Sequence, residues 1–120
     1  MSNYQAWVGK ILEQYDVVSQ ASVDRFCATF GLEPAVEFAP YGYHWCLCLP
    51  NTATSELGPD GHPPKGGFMP PIDLPRRMWA ASRVMFLHPL PLGVTIYKRS
   101  TVTAVNEKTG KTGALAFVEI

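Results

Sequence analysis

Apolar residues follow a helical spacing near the start of the chain. In residues 20–31, QASVDRFCATFG, they stand at positions i, i+3, i+4 and i+7, namely Val23, Phe26, Cys27 and Phe30. This stripe predicts a short amphipathic helix that places Cys27 in the core. We expect Ser22 to be the N-cap, Asp24 to lie in the first turn and Gly31 to end the helix.

The later part of the chain has the alternation and the β-branched content of strands. We expect strands in residues 78–88, MWAASRVMFLH, and 94–105, VTIYKRSTVTAV, with PLPLG between them. The segment NEKTGKTG, residues 106–113, should turn the chain into a last strand, ALAFVEI, residues 114–120. The final pair is therefore predicted to form a hairpin.

The last predicted strand is apolar on both faces. Its side chains alternate between a face with Ala114, Ala116, Val118 and Ile120 and a face with Leu115 and Phe117. Since neither face suits open water, we expect one to cover the helix of the domain and the other a partner. The apolar strand at the end of the chain also predicts that more sequence, or another chain, completes the fold.

Residues 41–49, YGYHWCLCL, are apolar nearly all round and stand between two prolines. Periodicity alone does not separate a short buried helix from a buried strand in such a segment. Pro40 would suit the first position of a helix. Both interpretations place the segment inside the protein.

Glycine and proline dominate the middle of the chain. Nine of the fifteen residues in 57–71 are of these two types, and all eleven prolines fall within residues 34–91. A linker would separate two cores, but a chain of 120 residues holds one. We therefore interpret residues 51–75 as a long, stiffened loop of a single domain, 1–120, that carries the chain towards the strands.

Charge is scarce and unevenly placed. Only 17% of the residues are charged, against 47% hydrophobic, which favours burial against another subunit or domain. Residues 1–75 hold three Lys or Arg against eight Asp or Glu, whereas residues 76–120 hold seven against two. The basic part contains no run of like charges and no interleaved aromatic residues, so nucleic-acid binding is not expected.

The three cysteines indicate a reducing environment. They are odd in number, and Cys46 and Cys48 are too close in sequence for a usual disulfide framework. The chain begins without a signal-peptide pattern and holds no apolar run of membrane-spanning length. A soluble, cytoplasmic protein without a membrane partner is therefore expected.

His44, Cys46 and Cys48 raise the question of a metal site. On a strand they would share one face and offer three ligands that zinc accepts. No fourth ligand is evident, and the spacing of the two cysteines is unusual for structural zinc. Buried cysteines beside a hydrogen-bonded histidine are the favoured interpretation, and no metal is expected.

Two motifs of the loop region carry potential chemistry. Asp60 and His62 in PDGHP would suit acid–base catalysis, although Asp-Gly between prolines is also typical of a turn. Arg76 and Arg77 suit bidentate contacts to carboxylate or phosphate. In an extended segment these arginines point to opposite faces, so at most one would serve a given site while the other forms a salt bridge.

These motifs occur in an order that resembles a known family. The segments are HW, LG-x-DGHP, PP, LP-RRMWA and K-x-G-x-x-G-x-L-x-FV, at residues 44–45, 57–63, 70–71, 74–80 and 108–118. They are similar to the first half of the MaoC-like, FAS1-like dehydratases, in the branch that contains mesaconyl-C4-CoA (3-methylfumaryl-CoA) hydratase. The resemblance covers nearly the whole chain.

The resemblance implies an α+β, hot-dog fold, in which an antiparallel sheet wraps around a central helix. Residues 41–49 would supply part of that helix. Members of this family are double hot dogs, so the resemblance also implies a second, catalytic half that this chain does not contain. The partner predicted from the apolar strand would then be that half, or a homo-dimer mate.

The implied reaction is the reversible addition of water to an enoyl thioester of coenzyme A. Related hydratases use an Asp and a His five positions later. Five positions before His44, His62 and His88 stand Ala39, Leu57 and Arg83, so this chain has no such pair and no catalytic residue is assigned.

The chain is therefore expected to bind acyl-CoA, with no cofactor other than the coenzyme A of the substrate, and to lack activity alone. The alternative is a stand-alone, non-enzymatic hot-dog module that binds acyl-CoA or mediates dimerisation. The candidates for substrate binding, carried over from the motifs, are Asp60, Gly61, His62, Arg76, Arg77 and Trp79.

Overall fold

The computed structural model describes residues 4–120, which form an α+β chain with one α-helix, three 3₁₀ helices and six strands. Their order is 3₁₀ helix Tyr4–Trp7, β1 (Ile11–Val17), α1 (Gln20–Phe30), β2 (Phe38–Ala39), 3₁₀ helices Tyr43–Cys46 and Thr54–Glu56, β3 (Leu90–Pro91), β4 (Thr95–Thr101), β5 (Ala104–Gly110) and β6 (Gly113–Glu119). This content confirms the predicted α+β class and is consistent with a hot-dog domain.

The strands of residues 4–120 pair as three two-stranded sheets, β1 with β4, β2 with β3 and β5 with β6. The pairs β2–β3 and β5–β6 are antiparallel. The expected single sheet around a central helix is thus not present in that form within this range.

The chain folds into two compact units. The first contains the stretch that ends at Glu13, together with Pro50–Ala80 and Arg99–Ile120; the second contains Gln14–Leu49 and Ala81–Lys98. The glycine- and proline-rich segment and the β5–β6 hairpin belong to the first unit, and α1 belongs to the second. No helix in residues 4–120 is long and apolar enough to cross a membrane.

The predicted hairpin forms, but its boundaries differ from the sequence pattern. β4 ends at Thr101, and β5 runs through the first five residues of the expected turn to Gly110, which pairs with Gly113. The prediction of a single strand over residues 94–105 is therefore wrong. The strand is interrupted at Val102, which is fully buried, and β5 begins at Ala104. Every residue of β6 is exposed or half-buried, so what covers its apolar side chains stays a prediction.

Residues 78–88 do not form the expected strand. Their side chains are mostly exposed, and Met85 and Leu87 show 76% and 77% of their surface. A strand needs a hydrogen-bonded neighbour as well as favourable residues. The backbone here has no such neighbour within residues 4–120, so strand-forming residues alone do not define a strand.

Helix α1 is confirmed, with a different start. Ser19 is the N-cap, and its Oγ accepts a hydrogen bond from the backbone N–H of Ser22 at 3.2 Å. The predictions that Ser22 is the N-cap and that Asp24 lies in the first turn are thus wrong, because the helix begins three residues before its apolar stripe. Gly31 ends the helix with φ 64°, as a glycine in the left-handed region commonly does.

The core of the second unit forms on one side of α1. Its buried residues are Val18, Val23, Cys27, Ala39, Tyr43 and Leu47. The ring of Phe26 packs edge-on against Tyr43, with centroids 5.8 Å apart. Cys27, at 3% exposure, lies in the core as predicted.

Residues 41–49 are neither a buried strand nor the central helix. Only a 3₁₀ turn, Tyr43–Cys46, forms there, and Pro40 precedes it instead of starting it. Tyr43 and Leu47 are buried, but Trp45 is 55% exposed. The apolar character of this segment therefore does not reflect burial on all sides.

Candidate functional site

The glycine- and proline-rich segment of the first unit is held by side chains from the start of the chain. The indole Nε1 of Trp7 donates to the carbonyl of Gly67 at 3.2 Å. The hydroxyl of Tyr4 donates to the carbonyl of Pro71 and accepts from the backbone N–H of Asp73, both at 3.3 Å. Contacts this distant in sequence make the segment an ordered part of its unit.

Lys65 closes the segment on itself. Its ammonium group donates to the carbonyls of Ile72 and Leu74, the latter at 3.1 Å. Nearby, Pro70 is almost fully buried. The segment therefore has its own internal support, which fixes the backbone on both sides of Pro70.

A tight turn forms at residues 58–62. The backbone N–H of Gly58 donates to the carbonyl of His62 at 2.8 Å, and that of Gly61 donates to the carbonyl of Gly58 at 3.0 Å. Asp60 Oδ1 accepts from the backbone N–H of His62 at 3.0 Å, which is the local contact that makes aspartate common in turns. Gly61 has φ +77°, a conformation that side chains with a Cβ disfavour.

Asp60 is therefore a turn-forming residue in this geometry. The hydrogen bond from the backbone of His62 lowers the pKa of its carboxyl group, and the positive charge of Arg77 contributes in the same direction. A carboxylate with a lowered pKa stays ionised at neutral pH and is a weak base. Asp60 does not resemble a general acid or base held near neutrality.

Arg77 is held over this turn. Its Nε lies 3.9 Å from Asp60 Oδ2, and a terminal guanidinium nitrogen donates to the carbonyl of Pro63 at 3.3 Å. The two charged side chains keep about a third of their surface, 30% and 29%. The ion pair is long and partly solvated, so it orients Arg77 without fully neutralising it.

These groups line a cavity of about 740 Å³ in the first unit. Five prolines form much of its wall: Pro59, Pro63, Pro64, Pro71 and Pro75. Because each proline fixes its own φ, such a wall loses little conformational entropy when a ligand binds. Two cationic and two anionic side chains also line it: Lys65, Arg77, Asp60 and Asp73.

The cavity brings together only part of the predicted set. Asp60 and Arg77 line it, whereas Gly61 and His62 belong to the turn beside it and do not. Arg76 and Trp79 are exposed and also lie outside its lining.

Lys65 and Asp73 were missed by the sequence analysis. Lys65 lies between two prolines and two glycines, and Asp73 lies between Pro71 and Pro75; no other sequence signal marks either residue. Their long-range contacts depend on how the loop folds back, which the sequence pattern does not encode.

Replacing Gly61 with Ala should destabilise the protein by about 1 kcal/mol, because its φ of +77° lies where a Cβ is unfavourable. The measurement is the free energy of unfolding in urea. Gly67→Ala is the matched control: this glycine lies outside the left-handed region, and no non-neighbouring atom of the described chain stands within 4 Å of the added Cβ. Equal losses in the two variants would contradict the strained turn.

Within the described residues, His44, Cys46 and Cys48 are not brought together as metal ligands. No group of three His, Cys, Asp or Glu in residues 4–120 is arranged to hold a metal ion. The interpretation as buried cysteines beside a hydrogen-bonded histidine also needs correction. Cys46 is exposed and Cys48 half-buried, and the buried Nδ1 of His44 has no hydrogen-bond partner within the described chain.

Cys48 has an uncommon backbone conformation, with φ 56°. Its backbone N–H donates to Asp16 Oδ2 at 2.8 Å, and its carbonyl accepts from Gln14 Nε2 at 3.3 Å. Hydrogen bonds from the backbones of Cys48 and Val17 lower the pKa of Asp16. The two hydrogen bonds of its backbone hold Cys48 in a conformation that residues other than glycine seldom adopt.

Comparison with models of protein families assigns the chain to one of them. The model of hydroxyacyl-thioester dehydratase type 2 matches residues 42–119, which is more than half of the sequence. The chain belongs to the hydroxyacyl-thioester dehydratase type 2 family. The matched range includes the turn at 58–62, Arg77 and the β5–β6 hairpin.

A curated relative of this dehydratase-family chain is mesaconyl-C(4)-CoA hydratase from Chloroflexus aurantiacus. The two sequences are 36% identical over 123 aligned positions, which cover 99% of this chain and 44% of the relative. The chain thus spans less than half the length of that protein. The resemblance that the sequence motifs indicated is confirmed at the level of the family.

Proposed function

We propose that this chain is the substrate-binding, N-terminal half of an acyl-CoA hydratase/dehydratase that acts on an enoyl-CoA such as mesaconyl-C4-CoA. The observation that carries the proposal is the 36% identity to a hydratase along 99% of the chain. Reversible hydration is the corresponding reaction, and the rest of the enzyme would supply the acid–base pair.

The chemistry of hydration explains why substrate binding and acid–base catalysis would belong to different halves of the enzyme. Adding water across an enoyl thioester requires a base to activate the water, an acid to protonate the adjacent carbon, and donors that polarise the thioester carbonyl. None of the three histidines has an aspartate five positions before it, and Asp60 is engaged in a turn. The chain therefore binds and orients the substrate without moving its protons.

Arg77 is the residue best suited to an anionic part of the substrate. Its nearest carboxylate, on Asp60, is 3.9 Å away, whereas charge-assisted N–H···O bonds are about 2.8 Å long. The free carboxylate of a dicarboxylic acyl group, or a phosphate of coenzyme A, would therefore be a closer partner than Asp60. Asp60 then acts as a positioning residue that holds the guanidinium at the cavity.

Calorimetric titration of the chain with coenzyme A thioesters tests the substrate-binding role. We expect one molecule of mesaconyl-C4-CoA or crotonyl-CoA to bind, with an affinity that falls as salt is raised, because anionic groups are recognised. The matched control is the crotonyl thioester of pantetheine, which lacks the nucleotide phosphates and should lose this salt dependence. Failure of a folded chain to bind either coenzyme A thioester would overturn the proposal.

A further inference from the structure

A histidine of the second unit has an unsatisfied nitrogen. The Nδ1 of His44 is cut off from solvent and makes no hydrogen bond with any residue in 4–120. An unpaired buried polar atom destabilises the folded state, and native proteins seldom retain one without a reason. The resemblance to known hydratases does not account for it, because His44 is not part of an Asp/His pair at the required spacing.

The ring of His44 is held by aromatic contacts instead of polar ones. It packs edge-on against Phe86, with centroids 5.4 Å apart, and lies 4.8 Å from the ring of Trp45. A half-turn about its Cβ–Cγ bond would exchange Nδ1 with Cδ2. Because Nδ1 makes no hydrogen bond with a described residue, that rotation would break none at this atom and would place the nitrogen on the opposite side of the ring.

His44 forms part of the wall of a cavity of about 540 Å³ within the second unit. Tyr41 and Phe86, whose rings lie 4.4 Å apart, line it as well, together with His88 and Tyr97. The lining residues, all in the described chain, include no Asp, Glu, Lys or Arg. The cavity of the first unit, in contrast, contains two cationic and two anionic side chains.

The chemistry of this lining selects a class of ligand. Aromatic faces and apolar side chains favour a flat, conjugated group, and a charged group would be desolvated there without a counter-ion. A polar nitrogen without a partner favours a ligand with a hydrogen-bonding heteroatom. Few convergent polar groups in an otherwise apolar cavity are typical of small-molecule sites.

We infer that this cavity binds a flat, uncharged, conjugated part of the acyl-CoA, with His44 as its hydrogen-bonding partner. This inference rests on the proposed function. Two parts of the same ligand have the required chemistry: the enoyl thioester and the adenine ring. His44 and the aromatic wall thus form a neutral subsite, separate in composition from the charged cavity lined by Arg77.

Two uncharged probes distinguish these sources. S-Crotonyl-N-acetylcysteamine contains the enoyl thioester without adenine, and adenosine contains adenine without a thioester. We expect calorimetric titration to show that one of them binds the chain. His44→Phe, which keeps an aromatic ring and removes the nitrogen, should weaken that binding at least tenfold, whereas His44→Asn, whose amide lies near the position of Nδ1, should retain it within about threefold.

Cys46→Ser is the matched control, because Cys46 lies in the same 3₁₀ turn, is exposed and does not line the cavity. It should bind the probe as the wild type does. A thermal melt without ligand separates loss of the site from loss of the fold: His44→Phe removes an unpaired polar atom and should be at least as stable as the wild type. A less stable His44→Phe protein would contradict the unpaired nitrogen on which the inference depends.

The inference and the proposed function fail in different ways. If the coenzyme A thioester binds the wild type and His44→Phe equally and neither neutral probe binds, the neutral subsite is refuted and the substrate-binding role stands. If the thioester does not bind at all, the substrate-binding role is refuted. Binding of a neutral probe that depends on His44 would then still support the cavity as a site for that chemical group.

Discussion

Turnover of enoyl-CoA should appear only when this chain is combined with a second hot-dog half that contains an Asp and a His five positions later. The chain alone has no such pair, and general acid–base catalysis contributes about 10²–10⁴-fold to rates of this kind. We therefore expect the combined protein to hydrate crotonyl-CoA or mesaconyl-C4-CoA at least about 10³-fold faster than the chain alone. The measurement is the loss of the ultraviolet absorbance of the conjugated thioester.

The control for this experiment is a second half in which the aspartate of the Asp/His pair is changed to Asn. It should associate with the chain in the same way and leave the combined protein nearly inactive. This result would show that the rate depends on the Asp/His pair. Hydration by the chain alone would refute the division of labour proposed above. A mixture that associates but stays inactive with every enoyl-CoA would instead favour the stand-alone module.

Local sequence signals predicted the local structure well. Helix α1 and the β5–β6 hairpin follow from spacing, capping residues and turn residues that are close together in the chain. The helix start was misplaced from Ser19 to Ser22 because both are serines that precede an apolar stripe, and only the hydrogen bond between them identifies the cap. The sequence thus defines such elements to within a turn.

Non-local structure was predicted less well. Residues 78–88 have the composition of a strand but no neighbouring strand in the described chain, and residues 41–49 are apolar although Trp45 is exposed. Whether an apolar segment becomes a strand, a helix or an exposed surface depends on what packs beside it.

The residues that line the cavity of the first unit were also predicted only in part. Asp60 and Arg77 were identified by motif, and both line the cavity. The choice between Arg76 and Arg77 was open in the sequence, because neighbouring residues of an extended segment point in opposite directions. The hydrogen bond to Pro63 and the approach to Asp60 single out Arg77. Arg77 can therefore be tested by mutation, with Arg76 as the control in the same protein.

In a complete enzyme, Arg77→Ala should raise KM for a dicarboxylic acyl-CoA, such as mesaconyl-C4-CoA, by about 100-fold, which corresponds to about 2.7 kcal/mol. Removing one member of a desolvated charge pair commonly costs 2–5 kcal/mol, because the other charge is left without a partner. KM for crotonyl-CoA, which has no free carboxylate, should rise less than about threefold if Arg77 binds that carboxylate. Arg77→Lys should recover only part of the loss, since lysine lacks the planar fork that binds a carboxylate through two hydrogen bonds.

Arg76→Ala is the matched control for this test, because Arg76 has the same charge and adjoins Arg77 but is exposed and outside the lining of the cavity. It should change either KM by less than about threefold, as surface substitutions usually do. Equal increases for both substrates in Arg77→Ala would exclude the carboxylate role and indicate contact with a phosphate of coenzyme A, which both substrates share. A larger effect of Arg76→Ala than of Arg77→Ala would refute the geometry on which the assignment rests, because only Arg77 is held at the cavity by Asp60 and Pro63.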